Sequence, residues 1–392
     1  MKKILTILFG IALLSCEREN TEFKPIDSVE EHFVSFGKIS KIVNNKSFKR
    51  SLSKFTTDEL QKKSLDESVS ITNYKEYKDK NNVAAFYFAE LSNNQLILFA
   101  ADNRSHPVMA IMDNENNASI EDIPSEFSYW LDEEINAIEF ARDNNLAQST
   151  EIAKEWTTYQ RVPPDDPTVC SNEYYENKTP LLTTNWGQGV GYNNYTPNKN
   201  CSNYSNGNTP TGCVATAMAQ VMRFFQYPTS YNWNSMPNNG GSNATSLLMK
   251  DVGTNVDMNY GCDGSGTKAT NASGAFIKFG YSQAFNADYN YNTVVSEISQ
   301  NKPVIISGGE KKYWAIFPYY ADGHAWVADG YIRGFSCSYD ENGNVNGGYG
   351  YLMLHLNWGW NGSFNGYFGF NNFSVNNDSY NYKNKMVYGI RK

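Results

Sequence analysis

The sequence predicts an α+β protein in two parts: a smaller α+β domain, then a larger one that carries an amphipathic helix and downstream strands. Three observations predict it. After Cys213, apolar residues fall at 214, 217, 218, 221, 222 and 225, one face of an α-helix. Far downstream, 323–331 and 351–360 read as strands. Near the front, 83–91 and 95–101 are strand-like runs joined by Ser92-Asn93-Asn94, a hairpin signature.

A chain of 392 residues suggests two or three domains. Its formal net charge of −8 at pH 7 gives no footing for nucleic acid as a partner. Charged residues are 19% and aromatics 15%, with 27 Tyr and 22 Phe, enough apolar and aromatic surface for a substantial core.

From the start, Lys2-Lys3 precedes an apolar run from Ile4 to Leu14 and then Ser15-Cys16. This is the charged and hydrophobic layout of an export signal, too short for a comfortable permanent span. Leu13-Leu14-Ser15-Cys16 resembles the lipobox of bacterial lipoproteins, in which Cys16 becomes the lipidated first residue. That implies a possible membrane anchor and a place in the bacterial cell envelope or outside it. Residues 17–24 read as a polar tether. A third strand is expected over 108–112 after Pro107, and a helix from Ile123-Pro124-Ser125 through Trp130, Ile135, Ile138 and Ala141. The stretch Arg161 to Thr168 is rich in Pro and Asp and reads as an exposed linker, where proteolytic nicking concentrates. Cleavage is expected between about 148 and 179. Pro228 ends the Cys213 helix, and Gly212 allows the tight turn into it.

Cys213 then sits at a helix N-terminus, where unpaired N–H groups favour negative charge and the thiol ionises more easily. A nucleophilic cysteine needs a base. Of the 4 histidines, only His324 and His355 follow Cys213, and both lie in strand-like stretches. A Cys on a helix start, a His on a strand and an Asn to hold the imidazole form the working set of a papain-type thiol hydrolase.

Three motifs carry a closer likeness: Gly-Cys-Val-Ala-Thr-Ala-Met-Ala-Gln-Val-Met from Gly212, Gly-His-Ala-Trp-Val-Ala-Asp-Gly from Gly323, and His-Leu-Asn-Trp-Gly-Trp-Asn-Gly from His355. In this order they resemble the streptopain family of bacterial papain-like cysteine peptidases. The segment Pro180 to Gln188 resembles that family's stretch upstream of the nucleophile. The resemblance implies a papain-like fold, peptide and protein substrates and no cofactor. It implies Cys213 as nucleophile and His324 as base, with His355 a structural neighbour. It implies Asn357 as the group orienting the imidazole, sheltered by Trp358, and Gln188 as an oxyanion donor with the Cys213 backbone N–H. Ser265, in the Gly-rich loop from Tyr260 to Gly266, is implied to touch substrate, as are Gly323 through its backbone and Trp358. The front half resembles the family's prosegment, which includes Ala101-Asp102-Asn103-Arg104 and Pro107 to Ala110. On that likeness residues 1–16 are the signal, 17–160 an intramolecular inhibitor and folding aid, 161–179 the linker and 180–392 the peptidase domain.

Of the 6 cysteines, four remain after Cys16 and Cys213: Cys170, Cys201, Cys262 and Cys337. In an exported protein they form up to two disulfides in three alternative pairings. Their spacing is not that of a metal site, and no His-Glu-x-x-His, Gly-x-Ser-x-Gly or phosphate-binding Gly-Lys-Ser/Thr occurs. The combined reading is a cysteine endopeptidase made as a zymogen. Its rivals are another papain-fold amide hydrolase or acyl transferase, against which Asn357-Trp358 argues, and a non-catalytic surface binding protein using Tyr- and Asn-rich loops.

Overall fold

The computed structural model describes residues 31–53, 69–114, 118–121, 123–160, 170–314, 317–369, 374–375, 378–379 and 384–392. The signal-like segment with Cys16 and the linker 161–168 lie outside them. The front half carries α1 (Phe36–Val43), α2 (Lys46–Ser53), β1 (Ile71–Lys78), β2 (Ala84–Leu91), β3 (Gln95–Ala100), β4 (Val108–Asp113), α3 (Ser125–Asp143) and α4 (Thr150–Gln160). The second half carries β5 (Tyr174–Lys178), α5 (Cys213–Phe225), α6 (Asn243–Asn255), α7 (Asn271–Lys278), β6 (Gln283–Asp288), α8 (Tyr291–Ser299), β7 (Val304–Trp314), β8 (Phe317–Tyr339), β9 (Val345–Asn357), β10 (Gly366–Gly369) and a C-terminal strand, Lys385–Arg391. Among the described residues no helix is long and apolar enough to cross a membrane.

The hairpin forms as its pattern predicts. Phe86 to Glu90 pair antiparallel with Ala100 to Leu96, and Asn94 takes φ 65° in the turn. Both strands are buried almost throughout, so they read as continuous apolar runs instead of alternating ones. Asp102 and Arg104 lie in the connection to β4. The Arg104 Nε and Nη2 groups donate to the two Asp102 oxygens at 2.8 and 2.7 Å, and Arg142 of α3 donates to Asp102 at 3.0 Å and to Asp79 at 2.8 Å. Burial works against ionisation of Asp102, but the two guanidiniums hold its pKa below the ordinary carboxylate value. Arg104 Nη1 also donates to Ala141 O near the C-terminus of α3. Helix α3 is thus pinned beside the hairpin by buried charge.

The sheet does not stop where the two halves meet. Its order is β1-β2-β3-β4-β10-β9-β8-β7, then the C-terminal strand and β6, with β5 added on β8. The junction is the antiparallel pairing of β4 with β10, Met112 opposite Gly366 and Ala110 opposite Phe368. A Cβ at Gly366 would stand 2.6 Å from Met112 Cα, so this approach requires glycine.

The apolar core is shared in the same way. One cluster runs from Phe86, Phe88 and Phe99 of the front half to Trp326, Leu354, Trp358 and Phe368 of the second. Phe127 of α3 stacks on Phe364 at 5.0 Å and stands edge-on to Trp358 at 5.7 Å and Phe368 at 6.0 Å. A second cluster surrounds α5 with Trp186, Leu248, Ile305 and Val327.

Two features differ from the sequence-based expectation. The second half joins its sheet before Pro180: β5 pairs with β8 from Tyr174 opposite Phe335 to Lys178 opposite Tyr331, and Cys170 is bonded to Cys337. The strand bearing His324 is also far longer than 323–331, because β8 pairs with β7 along its first part and with β9 and β5 beyond.

The Phe127 ring packs from the front half onto Trp358, Trp360, Phe364 and Phe368. In a Cys213→Ala background, Phe127→Ala is expected to cost about 3–5 kcal/mol of unfolding free energy, read from urea denaturation. An unchanged midpoint would contradict this packing.

Candidate active site

The turn into α5 decides where Cys213 stands. Gly212 has φ 88°, and a Cβ there would meet Met258 Cε at 2.7 Å and Ser265 O at 2.8 Å. Only glycine fits both the backbone angle and the space. The Thr216 N–H then donates to Gly212 O at 3.1 Å, closing the first helical turn. Cys213 is half-buried and stands outside both disulfides. Behind it, every residue from Val214 to Met222 is buried, including Thr216 and Gln220. The one-sided apolar face expected of this helix is therefore part of a fully enclosed one. Helix α6 and strand β8 pack on it, and the segment around Trp186 belongs to the same cluster.

His324 lies on β8 opposite Gly308 of β7 and is buried. Its Nε2 is 2.9 Å from the backbone carbonyl of Trp358. A carbonyl only accepts, so Nε2 carries the proton, and in the neutral ring the lone pair lies on Nδ1. The ring stacks on Trp360 at 4.9 Å, with Trp326 at 6.1 Å and Trp358 at 6.3 Å.

Asn357 was expected to accept the imidazole N–H, and its carboxamide is committed elsewhere. Its Oδ1 accepts from Gln220 Nε2 at 3.1 Å and Gly359 N–H at 3.2 Å, and its Nδ2 donates to Thr184 O at 2.8 Å. The neighbouring backbone carbonyl of Trp358 holds the imidazole instead. Trp358 itself is 1% exposed beneath Phe127 and stacks on Trp360 at 5.1 Å, so in this state its indole is core and not cleft surface.

Gln188 is half-buried, and its carbonyl accepts from Thr211 N–H at 3.0 Å, two residues before Cys213. It lines a cleft of about 350 Å³ with Tyr204, Asp263, Gly264 and Trp360, and Ala118 and Pro124 of the front half form part of the wall. Gly323 is exposed, directly before His324. Ser265, expected to meet substrate, donates its hydroxyl to Pro210 O at 2.7 Å and braces the approach to Gly212. His355 sits 2.6 Å through Nδ1 from Asp329 Oδ1 and edge-on to Tyr367. A register shift in β8 takes Asp329 out of the ladder. Its carbonyl and carboxylate then accept the N–H groups of Leu181 and Leu182.

Of the three alternative cysteine pairings, the protein has Cys170–Cys337 and Cys201–Cys262, with Cα separations of 6.1 and 5.1 Å. The second joins the loops that bring Tyr204 and Asp263 to the cleft. Among the described residues, no group of three or more His, Cys, Asp or Glu could hold a metal ion.

Two residues escaped the sequence reading. Trp360 lines the cleft and stacks on His324. Gln220 is fully buried and bonded to Thr184, Trp186 and Asn357. Its signal was available: an amide side chain seven positions after Cys213, on the same side of a mostly apolar helix.

The family model described as the peptidase C10 family matches residues 186–230 and 229–368. Streptopain of Streptococcus pyogenes is 30% identical over 204 residues, covering 40% of this chain and 45% of that protein. The thiol protease/hemagglutinin PrtT of Porphyromonas gingivalis is 28% identical over 199 residues, covering 40% of this chain and 20% of that protein. The chain thus spans less than half the length of these curated relatives. A fragment of prointerpain A from Prevotella intermedia shares the fold, with a TM-score of 0.57 and 24% identity over 82% of this chain and 99% of that one.

Proposed function

We propose, on the premise that the chain belongs to the peptidase C10 family of streptopain-like, papain-fold cysteine peptidases, that it hydrolyses internal peptide bonds through Cys213 and His324 and is made as a zymogen. The observation that carries this reading is a thiol at the mouth of an enclosed helix, in a chain whose second imidazole-bearing strand fixes the His324 tautomer through the Trp358 carbonyl. Cys213 gives its thiol proton to the His324 imidazole, the thiolate adds to the scissile carbonyl carbon, and the C=O electron pair moves onto oxygen. The oxyanion is received by the Cys213 N–H and the Gln188 side-chain amide. As the tetrahedral species collapses, the C–N bond breaks and the His324 imidazolium gives its proton to the departing amine. His324 then takes a proton from water, the hydroxide adds to the thioester, and Cys213 leaves as thiolate.

Residues 17–160 act, on this reading, as the intramolecular inhibitor. Two observations support it: Ala118 and Pro124 wall the Gln188 cleft, and Phe127 lies over Trp358. Release then depends on where the chain is cut. A cut before Trp156 leaves the buried Trp156 and Tyr159 of α4 attached to the second half, and a cut between them still leaves Tyr159 there. A cut after Cys170 leaves the front half joined to Cys337 by the disulfide. We further infer export and lipid attachment at Cys16. The support is the Lys2-Lys3, Ile4 to Leu14, Ser15-Cys16 layout, together with two disulfides, which persist in oxidising compartments.

A thiol-directed peptidase inhibitor is expected to label the processed protein stoichiometrically at Cys213 and to leave Cys213→Ala unlabelled. His324→Ala abolishes peptide turnover, while His355→Ala retains it and lowers stability. Turnover surviving in Cys213→Ala or His324→Ala would defeat the mechanism. N-terminal sequencing of the processed form should begin between 161 and 170, with the front half separating on a non-reducing gel; a start well beyond Cys170 contradicts the release argument. Labelled fatty acid should enter the wild type in a bacterial host and not Cys16→Ser; equal labelling would remove the anchor.

A further inference from the structure

Three segments that hold the proposed reacting groups are closed into one ring of hydrogen bonds. Thr184 Oγ1 donates to Gln220 Oε1 at 2.9 Å, Gln220 Nε2 donates to Asn357 Oδ1 at 3.1 Å, and Asn357 Nδ2 donates to Thr184 O at 2.8 Å. The ring has branches: Gln220 Oε1 also receives the Trp186 N–H at 3.3 Å, and Asn357 Oδ1 the Gly359 N–H at 3.2 Å. The three side chains are buried, Gln220 at 0% exposure. Water does not compete for these bonds, and each group that loses its partner is left unsatisfied in a low-dielectric interior.

The ring is placed between the catalytic groups in a specific way. Gln220 stands two helical turns from Cys213 on the same side of α5. From Thr184 the chain runs four residues to Gln188. From Asn357 it runs one residue to Trp358, whose carbonyl holds His324. A single planar amide therefore ties the nucleophile's helix to the oxyanion segment through its oxygen and to the histidine-holding loop through its nitrogen. Glutamine is required because one side must accept while the other donates.

We propose that Gln220 is a positioning residue for peptide hydrolysis, setting Gln188 and His324 relative to Cys213 through Thr184 and Asn357. This rests on the catalytic reading of Cys213, His324 and Gln188. Displacements of about 1 Å in such a constellation cost up to about 100-fold in rate. The loss therefore falls on kcat and leaves KM nearly unchanged.

Gln220→Glu provides the discriminating measurement, because it keeps the shape and both bonds to Oε1. As a carboxylate it turns an acceptor toward Asn357 Oδ1. As a neutral acid its O–H donates there, as the amide did. Burial raises the pKa of such a group, which brings its titration into the working range. In the processed protein, Gln220→Glu is expected to lower kcat by about 10- to 100-fold at about pH 8, with recovery toward wild type as the pH falls to about 5.5. Gln220→Met, which fills the same space without either bond, shows the loss at every pH. Thr184→Val, which removes one bond of the ring, gives a smaller loss, and combining it with Gln220→Met adds little. Proper folding of each variant is read from its near-ultraviolet circular dichroism, and if the Gln220 variants do not fold, Thr184→Val carries the test by its kcat against KM. Wild-type kcat in Gln220→Met, or in Thr184→Val where that variant carries the test, overturns the proposal. So does equal, pH-independent loss in Gln220→Met and Gln220→Glu, which marks a packing role. Absence of turnover in the wild type itself refutes the peptidase reading beneath it, a separate and recognisable outcome.

Discussion

A helix that opens on a half-buried cysteine and is otherwise enclosed has to be held from every other direction. Helix α5 meets this constraint by burying Val214 to Met222 without a solvent-facing side. The apolar residues do so by packing into the cluster with Trp186, Leu248 and Val327. The polar ones need partners, since a buried amide or hydroxyl without a hydrogen bond is costly. Thr216 bonds back to Gly212 and Thr211, and Gln220 reaches Thr184, Trp186 and Asn357. The demand to satisfy these groups is what draws the 184–188 segment and the end of β9 onto the helix.

The same logic governs the histidine side. The β8 register shift frees Asp329 to hold Leu181, Leu182 and His355, so the strand before His355 and the segment leading to Thr184 share one anchor. Beyond it, Asn357 turns inward to Gln220, which leaves the Trp358 carbonyl facing His324. The aromatic layer of Trp326, Trp358 and Trp360 then surrounds the ring. That layer is roofed by Phe127 and Phe368, and only the first of these belongs to the front half.

The two halves are consequently joined more tightly than a removable cover requires. They share a ladder at β4–β10 and one apolar cluster. Separation exposes the edge of β10 and the indoles beneath Phe127. Unpaired strand edges and contiguous aromatic surface both invite association. Separating the halves therefore means undoing both the ladder and the shared cluster.

The sequence by itself determined the fold class, the family resemblance, the α5 helix, the β2–β3 hairpin and α3. Each of these is local: a 3.6-residue or strand-like pattern bounded by Pro, Gly or Asn can be read from neighbours in the chain. The family motifs are local in the same sense. Only the tertiary structure decided the pairing of Cys170 with Cys337 and Cys201 with Cys262, the β4–β10 junction, and the partners of Asn357. These depend on which distant groups meet once the core has closed. A carboxamide such as Asn357 or Gln220 has donors and acceptors that suit many partners, and nothing in its own neighbourhood selects among them. The closure of three segments around α5 makes that selection, because the buried amides and hydroxyl of Gln220, Asn357 and Thr184 meet one another there.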